Sequence, residues 1–232
     1  LRDKSAYLER EVALRTLEVQ AIQDVTIMAM TSLAETRDNE TGNHIRRTQL
    51  YVKALAERLR NHPRFEAVLN ERMIELLYKS APLHDIGKIG IPDSILLKPG
   101  KLTVEEFEVM KTHTTLGRKA IEDAERRLGM RVAFLSVSKE IAYSHQEKWD
   151  GSGYPQGLAG DQIPVSARLM AVADVYDALI NKRVYKAAFS HDQACSTIVK
   201  GKGTHFDPDM VDAFVDIAED FRSIALKYPD PE

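Results

Sequence analysis

The sequence predicts an all-α fold, and three observations support that prediction. Residues 1–37 contain neither glycine nor proline, which favours one long uninterrupted helix. From residue 44 onward, apolar residues recur three and four positions apart, as they do on one face of an α-helix. No stretch alternates convincingly between apolar and polar residues as a half-buried strand would. We therefore expect a long helix over residues 1–37, followed by a helical domain over residues 38–232.

The first predicted helix has the apolar spacing of a coiled coil, interrupted once at Arg15. The apolar residues of this seam are Leu8, Val12, Val19 and Ile22. A long exposed helix gains little stability by itself, so we expect it to form a homodimer with a second copy or to carry a signal from an upstream domain. The alternative is a first helix packed on its own domain. Because the sequence does not begin with methionine, we expect it to be a fragment of a longer chain.

Short motifs mark where later helices begin. Thr103 with Glu106, and Ser190 with Gln193, have the spacing of a capping box. Asp207 before a proline is typical of an N-cap with proline at the first helical position. These motifs predict three helix starts.

Glycines mark helix ends and one long loop. Gly129 and Gly201 follow periodic apolar segments, so we predict that each adopts the left-handed conformation of a helix C-terminus. Residues 150–164 contain four glycines and two prolines, which predicts a loop between helices.

The composition limits the classes of function. With 44% apolar and 29% charged residues the chain is an ordinary globular protein, and its net charge of −3 gives no basic surface for a nucleic-acid polymer. The single cysteine, Cys195, excludes an intramolecular disulfide and a thiolate zinc site, and it fits the cytoplasm. No signal peptide and no apolar run of eighteen residues is present, so we expect no membrane segment. Metal ligands, if any, must be histidines and carboxylates.

Four of the seven histidines lie beside acidic residues near predicted helix ends. They are His44, His84, His113 and His145. A single histidine of this kind is usually a surface or hydrogen-bonded core residue. The dipeptide His84-Asp85 is distinguished by its neighbours, because it closes an apolar helix and precedes a tight, lysine-bearing turn. His191-Asp192 is the same dipeptide at a helix start, where the helix dipole explains the acidic residue, so we interpret it as structural.

Two further carboxylates are candidates for the same site. Glu40 lies four residues before His44, although Gly42 between them weakens the helix there. Asp174 lies within an apolar run, where an unpaired buried carboxylate would be costly. A metal ion would remove that cost, and pairing with a basic neighbour is the alternative.

Three ordered motifs resemble the HD-GYP family over residues 24–226. They are His84-Asp85-Ile86-Gly87-Lys88, His145, and the loop Trp149-Asp150-Gly151-Ser152-Gly153-Tyr154-Pro155. The resemblance implies an all-α HD-superfamily fold that hydrolyses the messenger cyclic di-GMP to linear pGpG and, in many members, onward to GMP.

The resemblance also implies a set of metal ligands. They are Glu40, His44, His84, Asp85, His113, His145 and Asp174. Asp85 would bridge two ions, one also held by His44, His84 and Asp174 and the other by His113 and His145, while Glu40 matches a ligand of a third ion seen in some members. Mixed imidazole and carboxylate ligands suit iron or manganese, with nickel as an alternative.

Catalytic and substrate-binding roles follow from the same resemblance. Asp85 and Lys88 are the expected catalytic residues, with Lys88 stabilising charge on the phosphate, unless it is only a solvated turn lysine. The expected substrate-binding residues are Lys88, Tyr154, Arg183 and Lys186. Lys182 adds positive charge, and a solvated basic helix end is the alternative for this group. Trp149 is expected to pack the loop.

One departure from the family pattern puts a third ion in doubt. Family members carry two adjacent histidines where this sequence has His145-Gln146, and a neutral amide is a weak metal ligand. We therefore expect two ions. A catalytically degenerate domain that binds a nucleotide or a protein stays open as a second hypothesis, and an HD hydrolase of another nucleotide as a third. The resemblance to response-regulator members predicts an upstream receiver or sensor domain.

Overall fold

A computed structural model of the chain describes residues 2–37, 43–181 and 188–230, and within these ranges the regular structure is helical and no strand is present. The α-helices are α1 Arg2–Glu35, α2 Asn43–Leu59, α3 Glu71–Ser80, α4 Asp93–Leu96, α5 Val104–Lys111, α6 His113–Leu128, α7 Ala133–Ser144, α8 Val165–Ile180, α9 His191–Lys200, α10 Pro208–Asp216 and α11 Ala218–Lys227. Short 3-10 helices cover Ala81–Leu83, Ile86–Gly90 and Gly160–Gln162. The all-α prediction is confirmed.

The predicted helix starts are confirmed. The Thr103 side chain accepts a hydrogen bond from the Glu106 amide at 3.2 Å and begins α5. Ser190 does the same for Gln193 at 3.3 Å and begins α9. Asp207 caps α10 by accepting from the Asp209 amide at 3.0 Å. In each case a side-chain oxygen satisfies an amide that has no partner inside the helix.

The two glycine predictions have different outcomes. Gly129 ends α6 with φ of 72°, the left-handed conformation predicted for it. The prediction for Gly201 is wrong, because its φ of −81° is open to any residue. Glycine is required there for space, since a Cβ atom would lie 2.7 Å from the ring of Phe206. The close approach of an aromatic ring, rather than a backbone turn, explains the residue.

The core forms around α8, in which ten of the sixteen residues are buried. Tyr51 of α2 stacks on Phe221 of α11 at 4.4 Å between ring centroids, and Tyr176 of α8 meets both rings edge-on. Helices α3, α7 and α10 complete the apolar surroundings. Burial of α8 explains why its sequence is apolar on nearly every face; Asp174 lies on this helix with 16% of its side chain exposed.

Helix α1 is largely exposed. The predicted seam residues have exposed fractions of 51 to 64%; they are Leu8, Val12, Val19 and Ile22. The seam is therefore not packed on its own domain. Helix α1 contacts the 3-10 helices Ala81–Leu83 and Ile86–Gly90. In addition, Asp24 of α1 lies 3.8 Å from Lys79 of α3. Among the described residues no helix is both long enough and apolar enough to cross a membrane.

Candidate metal centre

Six of the predicted ligands form two neighbouring clusters. Cluster I consists of His44, His84 and Asp174, and cluster II consists of Asp85, His113 and His145. Within each cluster the three potential ligand atoms all lie within 4.8 Å of one another. The fold therefore brings together residues from α2, α6, α7, α8 and the segment after α3.

Helix ends place most of these side chains. His113 is the first residue of α6, and His145 directly follows α7. Asp85 lies between two 3-10 helices, immediately before Ile86–Gly90. That turn is pressed against α6, because a Cβ atom on Gly87 would lie only 1.9 Å from the carbonyl oxygen of His113. A glycine at position 87 thus allows Asp85 to reach His113.

All four imidazoles are oriented through their Nδ1 atoms. In three of them Nδ1 lies close to a backbone carbonyl oxygen. The pairs are His84 with Ala81 at 2.9 Å, His113 with Met110 at 2.8 Å and His145 with Ile141 at 3.0 Å. His44 instead faces the carboxylate of Asp177 at 2.9 Å. Because these oxygens only accept hydrogen bonds, each Nδ1 carries a proton and each ring turns its Nε2 toward the site.

The Nε2 atoms converge within the clusters. The His44 and His84 Nε2 atoms are 3.4 Å apart, and so are those of His113 and His145. Oδ1 of Asp85 lies 3.3 Å from the His113 Nε2 and 3.4 Å from the His145 Nε2, while Oδ2 lies 3.3 Å from the His84 Nε2. Nitrogen lone pairs and carboxylate oxygens aimed at one another repel unless a cation lies between them. The donor set fits a metal ion at each cluster, with Asp85 between the two.

The electrostatics of the site favour the binding of a cation beside Asp85. Within the described part of the chain, no group donates a hydrogen bond to the buried Oδ1 of Asp85. A metal ion would coordinate this oxygen and so satisfy it. Burial alone would raise the pKa of Asp85, but the charges of Lys88 and His84 hold that pKa well below its usual range. Burial lowers the pKa of His113 to about 4, so this ring is neutral at pH 7. Burial opposes the charge on His84 too, yet Asp85 and Asp174 raise its pKa.

Lys88 and Tyr154 lie at the edge of cluster II. The Lys88 ammonium is 2.7 Å from Oδ2 of Asp85. The ring of Tyr154 meets that of His113 edge-on at 6.3 Å between centroids. Burial raises the pKa of the Tyr154 hydroxyl, and the charges of Asp85 and Asp174 act in the same direction, so it remains a hydrogen-bond donor at pH 7. Among the described residues, Lys88 and Tyr154 thus bring a cation and a hydroxyl to the centre.

The loop that carries Tyr154 is anchored beside His145. The Gln146 carbonyl accepts from the Tyr154 amide at 3.1 Å. The buried carboxylate of Glu147 accepts from the amides of Gln156 at 2.7 Å and Leu158 at 3.0 Å. The Trp149 carbonyl accepts from the Gly160 amide of the loop at 2.9 Å, and Arg64 and Arg168 each lie within 5.7 Å of the Trp149 ring.

Several predicted residues lie outside the described residues. They are Glu40, Lys182, Arg183 and Lys186. His191-Asp192, interpreted as structural, lies away from both clusters, and His191 contacts the Tyr176 hydroxyl at 2.8 Å at the start of α9.

Two residues around the site were missed by the sequence analysis. Asp177 is buried against His44, and the buried Arg47 donates to both of its oxygens at 2.6 and 2.8 Å. Burial would raise the pKa of Asp177, but the hydrogen bonds from Arg47 and His44 lower it, so this carboxylate is ionised. A signal was present, because Asp177 lies one turn after Asp174 in the same apolar helix.

Comparison with known proteins identifies the family. A family model described as HD domain matches residues 29–210. The chain belongs to the HD domain family. Its motifs, which resemble the HD-GYP type, agree with this result, and the predicted family relationship is confirmed.

Relatives of this HD domain protein include two proteins of Vibrio cholerae. A cyclic di-GMP phosphodiesterase is 60% identical over 213 residues, which are 92% of this chain and 43% of that protein. A probable cyclic di-GMP phosphodiesterase is 55% identical over 232 residues, which are 100% of this chain and 53% of that protein. The chain therefore spans about half the length of these relatives.

A solved structure has the same fold. It is a cyclic GMP-AMP specific phosphodiesterase of Vibrio cholerae, which superposes with a TM-score of 0.54 at 18% identity and covers 90% of this chain and 56% of that one. At this level of identity the likeness supports the HD domain fold alone.

Proposed function

We propose that this chain is a metal-dependent phosphodiesterase that hydrolyses cyclic di-GMP to linear pGpG, with GMP as the product of a second cleavage. The observation that carries the proposal is the pair of adjacent clusters with Asp85 between them, each with imidazole Nε2 atoms 3.4 Å apart. The names of two relatives at 55% and 60% identity support the choice of substrate.

We propose one divalent ion at each cluster, iron or manganese, with nickel also compatible with the ligands. Bound there, two such ions would polarise the phosphate oxygens and lower the pKa of a water molecule that attacks phosphorus. Asp85, with one oxygen toward each cluster, would hold the two ions at a fixed separation. The four imidazoles would be neutral ligands whose orientation is set by their Nδ1 hydrogen bonds.

The chain's own polar groups complete the mechanism. Lys88, already beside Asp85, would neutralise charge that develops on the phosphate during attack. The Tyr154 hydroxyl, at the edge of cluster II, would donate to the phosphate or to a guanine base. Arg183 and Lys186 are proposed to grip the second phosphate, since arginine suits bidentate phosphate contacts.

A domain that binds the nucleotide without cleaving it is the main alternative, motivated by Gln146. Each cluster retains three protein ligands without that residue, and Lys88 remains beside Asp85. These contacts favour catalysis, because a binding module would not require a buried, charge-compensated pair of metal sites.

The experiment is turnover by protein stripped of metal with a chelator and reloaded without oxygen with Mn²⁺ or Fe²⁺. We expect pGpG to appear only after reloading, and the His84→Ala variant to stay inactive. Binding of cyclic di-GMP without cleavage would contradict the proposal. A higher kcat/KM for another cyclic dinucleotide in the same assay would contradict the choice of substrate.

We also propose that α1 pairs with α1 of a second copy as a parallel homodimer in the cytoplasm, below an upstream receiver or sensor domain. The exposed seam supports this, because Val12 is 64% exposed and would be buried in a coiled coil. Val12→Asp should lower the solution mass to that of a monomer. Leu17→Asp, at an equally exposed position off the seam, should leave the dimer intact. A monomeric parent protein at high concentration would contradict the proposal.

A further inference from the structure

Cluster I differs from cluster II in how one of its two histidines, His44, is oriented. Three of the four site imidazoles meet neutral carbonyl oxygens through Nδ1. His44 instead meets the carboxylate of Asp177 at 2.9 Å, and the guanidinium of Arg47 donates to both oxygens of that carboxylate. Both side chains are buried, with 6% and 1% of their surfaces exposed, so solvent does not weaken the contact. An anionic acceptor makes the opposite nitrogen of the ring a stronger ligand than a neutral acceptor does.

Asp177 is itself held rigidly. Arg47 donates from Nε to Oδ1 at 2.6 Å and from Nη2 to Oδ2 at 2.8 Å, the two parallel bonds of a bidentate pair. The Asn181 amide donates to Oδ2 at 2.9 Å. The carboxylate can therefore neither rotate nor turn away from His44 without breaking several hydrogen bonds.

Arg47 also ties this group to the segment after α11. Its Nη1 donates to the carbonyl oxygen of Tyr228 at 2.8 Å and to Asp230 at 2.7 Å. Among the described residues, Arg47 thus has two acidic partners, Asp177 and Asp230, and of these Asp177 is the one that contacts a site histidine. Substituting each acidic partner in turn therefore distinguishes two effects: loss of stability of the ion-pair network, and loss of the orientation of the His44 imidazole.

We propose that Asp177 is a positioning residue that fixes the tautomer and raises the ligand strength of His44, and so sets the metal affinity of cluster I but not that of cluster II. The inference rests on the metal sites of the proposed function. It assigns no contact with the substrate to Asp177. Its effect on the reaction would pass through His44 alone.

The test is the Asp177→Asn variant titrated with Mn²⁺ alone. The amide has the shape of the carboxylate but lacks its charge. We expect one of the two ions to bind about 10- to 100-fold more weakly, as is usual when such a supporting group is removed, and the other to bind as in the parent. Unchanged affinity for both ions, or equal weakening of both, would overturn the proposal.

The matched control is Asp230→Asn, which removes the other acidic partner of Arg47 without touching His44. This variant should lose some thermal stability and keep the metal affinities of the parent. A loss of affinity as large as that of Asp177→Asn would show that the network acts through stability, and would overturn the positioning role.

Breaking a buried ion pair is strongly destabilising, and the Asp177→Asn variant could fail to fold. A second measurement therefore uses the parent protein, as ¹⁵N NMR of its histidines after metal removal. We expect His44 to carry its proton on Nδ1, as its contact with Asp177 requires. A proton on Nε2 of His44 instead would overturn this proposal. Failure of the parent protein to bind Mn²⁺ would contradict the proposed function, and the NMR result would still decide the role of Asp177.

Discussion

Cluster I and cluster II use the same ligand types but are held by different parts of the fold. The histidines of cluster II lie at helix ends, because His113 begins α6 and His145 follows α7. Both Nδ1 atoms meet carbonyl oxygens of the preceding turn. In cluster I, His84 also meets a carbonyl oxygen, but His44 is held by the buried side chain of Asp177, which is in turn held by Arg47.

The difference indicates how each cluster would fail. A backbone-held site is sensitive to changes in how the helices approach one another, whereas a site held by side chains is sensitive to the loss of one buried charge. Asp85 belongs to both arrangements, because one oxygen faces His113 and His145 while the other faces His84. Substitution of Asp85 is therefore expected to affect both clusters.

The largest effect is expected for Asp85→Ala, which removes the ligand shared by both clusters. Activity should fall below detection and bound metal should fall at both clusters, as measured by elemental analysis and turnover. Asp192→Ala, in the second His-Asp dipeptide, is the matched control and should behave as the parent. Full metal content in the Asp85 variant would show that the site is assigned wrongly.

Gly87→Ala should separate the clusters. The added Cβ would lie 1.9 Å from the His113 carbonyl oxygen, so the turn and α6 must move apart and displace His113 from Asp85. We expect loss of the ion at cluster II, a smaller effect at cluster I, and a loss of stability of about 1–3 kcal/mol or more. At Gly90 the nearest obstacle is the tip of the Leu116 side chain, so Gly90→Ala is a milder control. Equal metal binding in both variants would contradict this reasoning.

Lys88→Ala should reduce kcat by about 10²- to 10³-fold, as the loss of one charge-stabilising donor does elsewhere. Metal content should not fall, because removing the ammonium beside Oδ2 leaves Asp85 more negative. Steady-state kinetics and elemental analysis on the same sample check both statements. If metal content fell in parallel with kcat, the role of Lys88 would be to position Asp85 as a metal ligand, and not to stabilise charge on the phosphate.

The smallest effect is expected for Gln146→His. The two proposed ions would already have three protein ligands each, so an additional imidazole should add metal rather than activity. We expect the stoichiometry to rise above two per chain in the variant. Three tightly held ions in the parent would contradict the interpretation of Gln146.

The parts of this site that could be predicted from the sequence are those with local signatures. His84-Asp85 and the following glycine-rich turn are contiguous, and capping motifs mark the starts of α5, α9 and α10. The pairing of Asp177 with Arg47 could not be predicted, because it joins α8 to α2 and leaves no periodic pattern in either helix. Gly201 was misinterpreted for a different reason, since the ring that excludes a side chain there comes from Phe206, whose fold back onto the end of α9 has no sequence signature.

Anomalous X-ray diffraction from crystals of the manganese- or iron-loaded protein tests the two-cluster arrangement most directly. We predict two peaks per chain, one within bonding distance of His44, His84 and Asp174 and the other of His113 and His145, with Asp85 between them. A single peak, or a peak remote from these side chains, would contradict the arrangement.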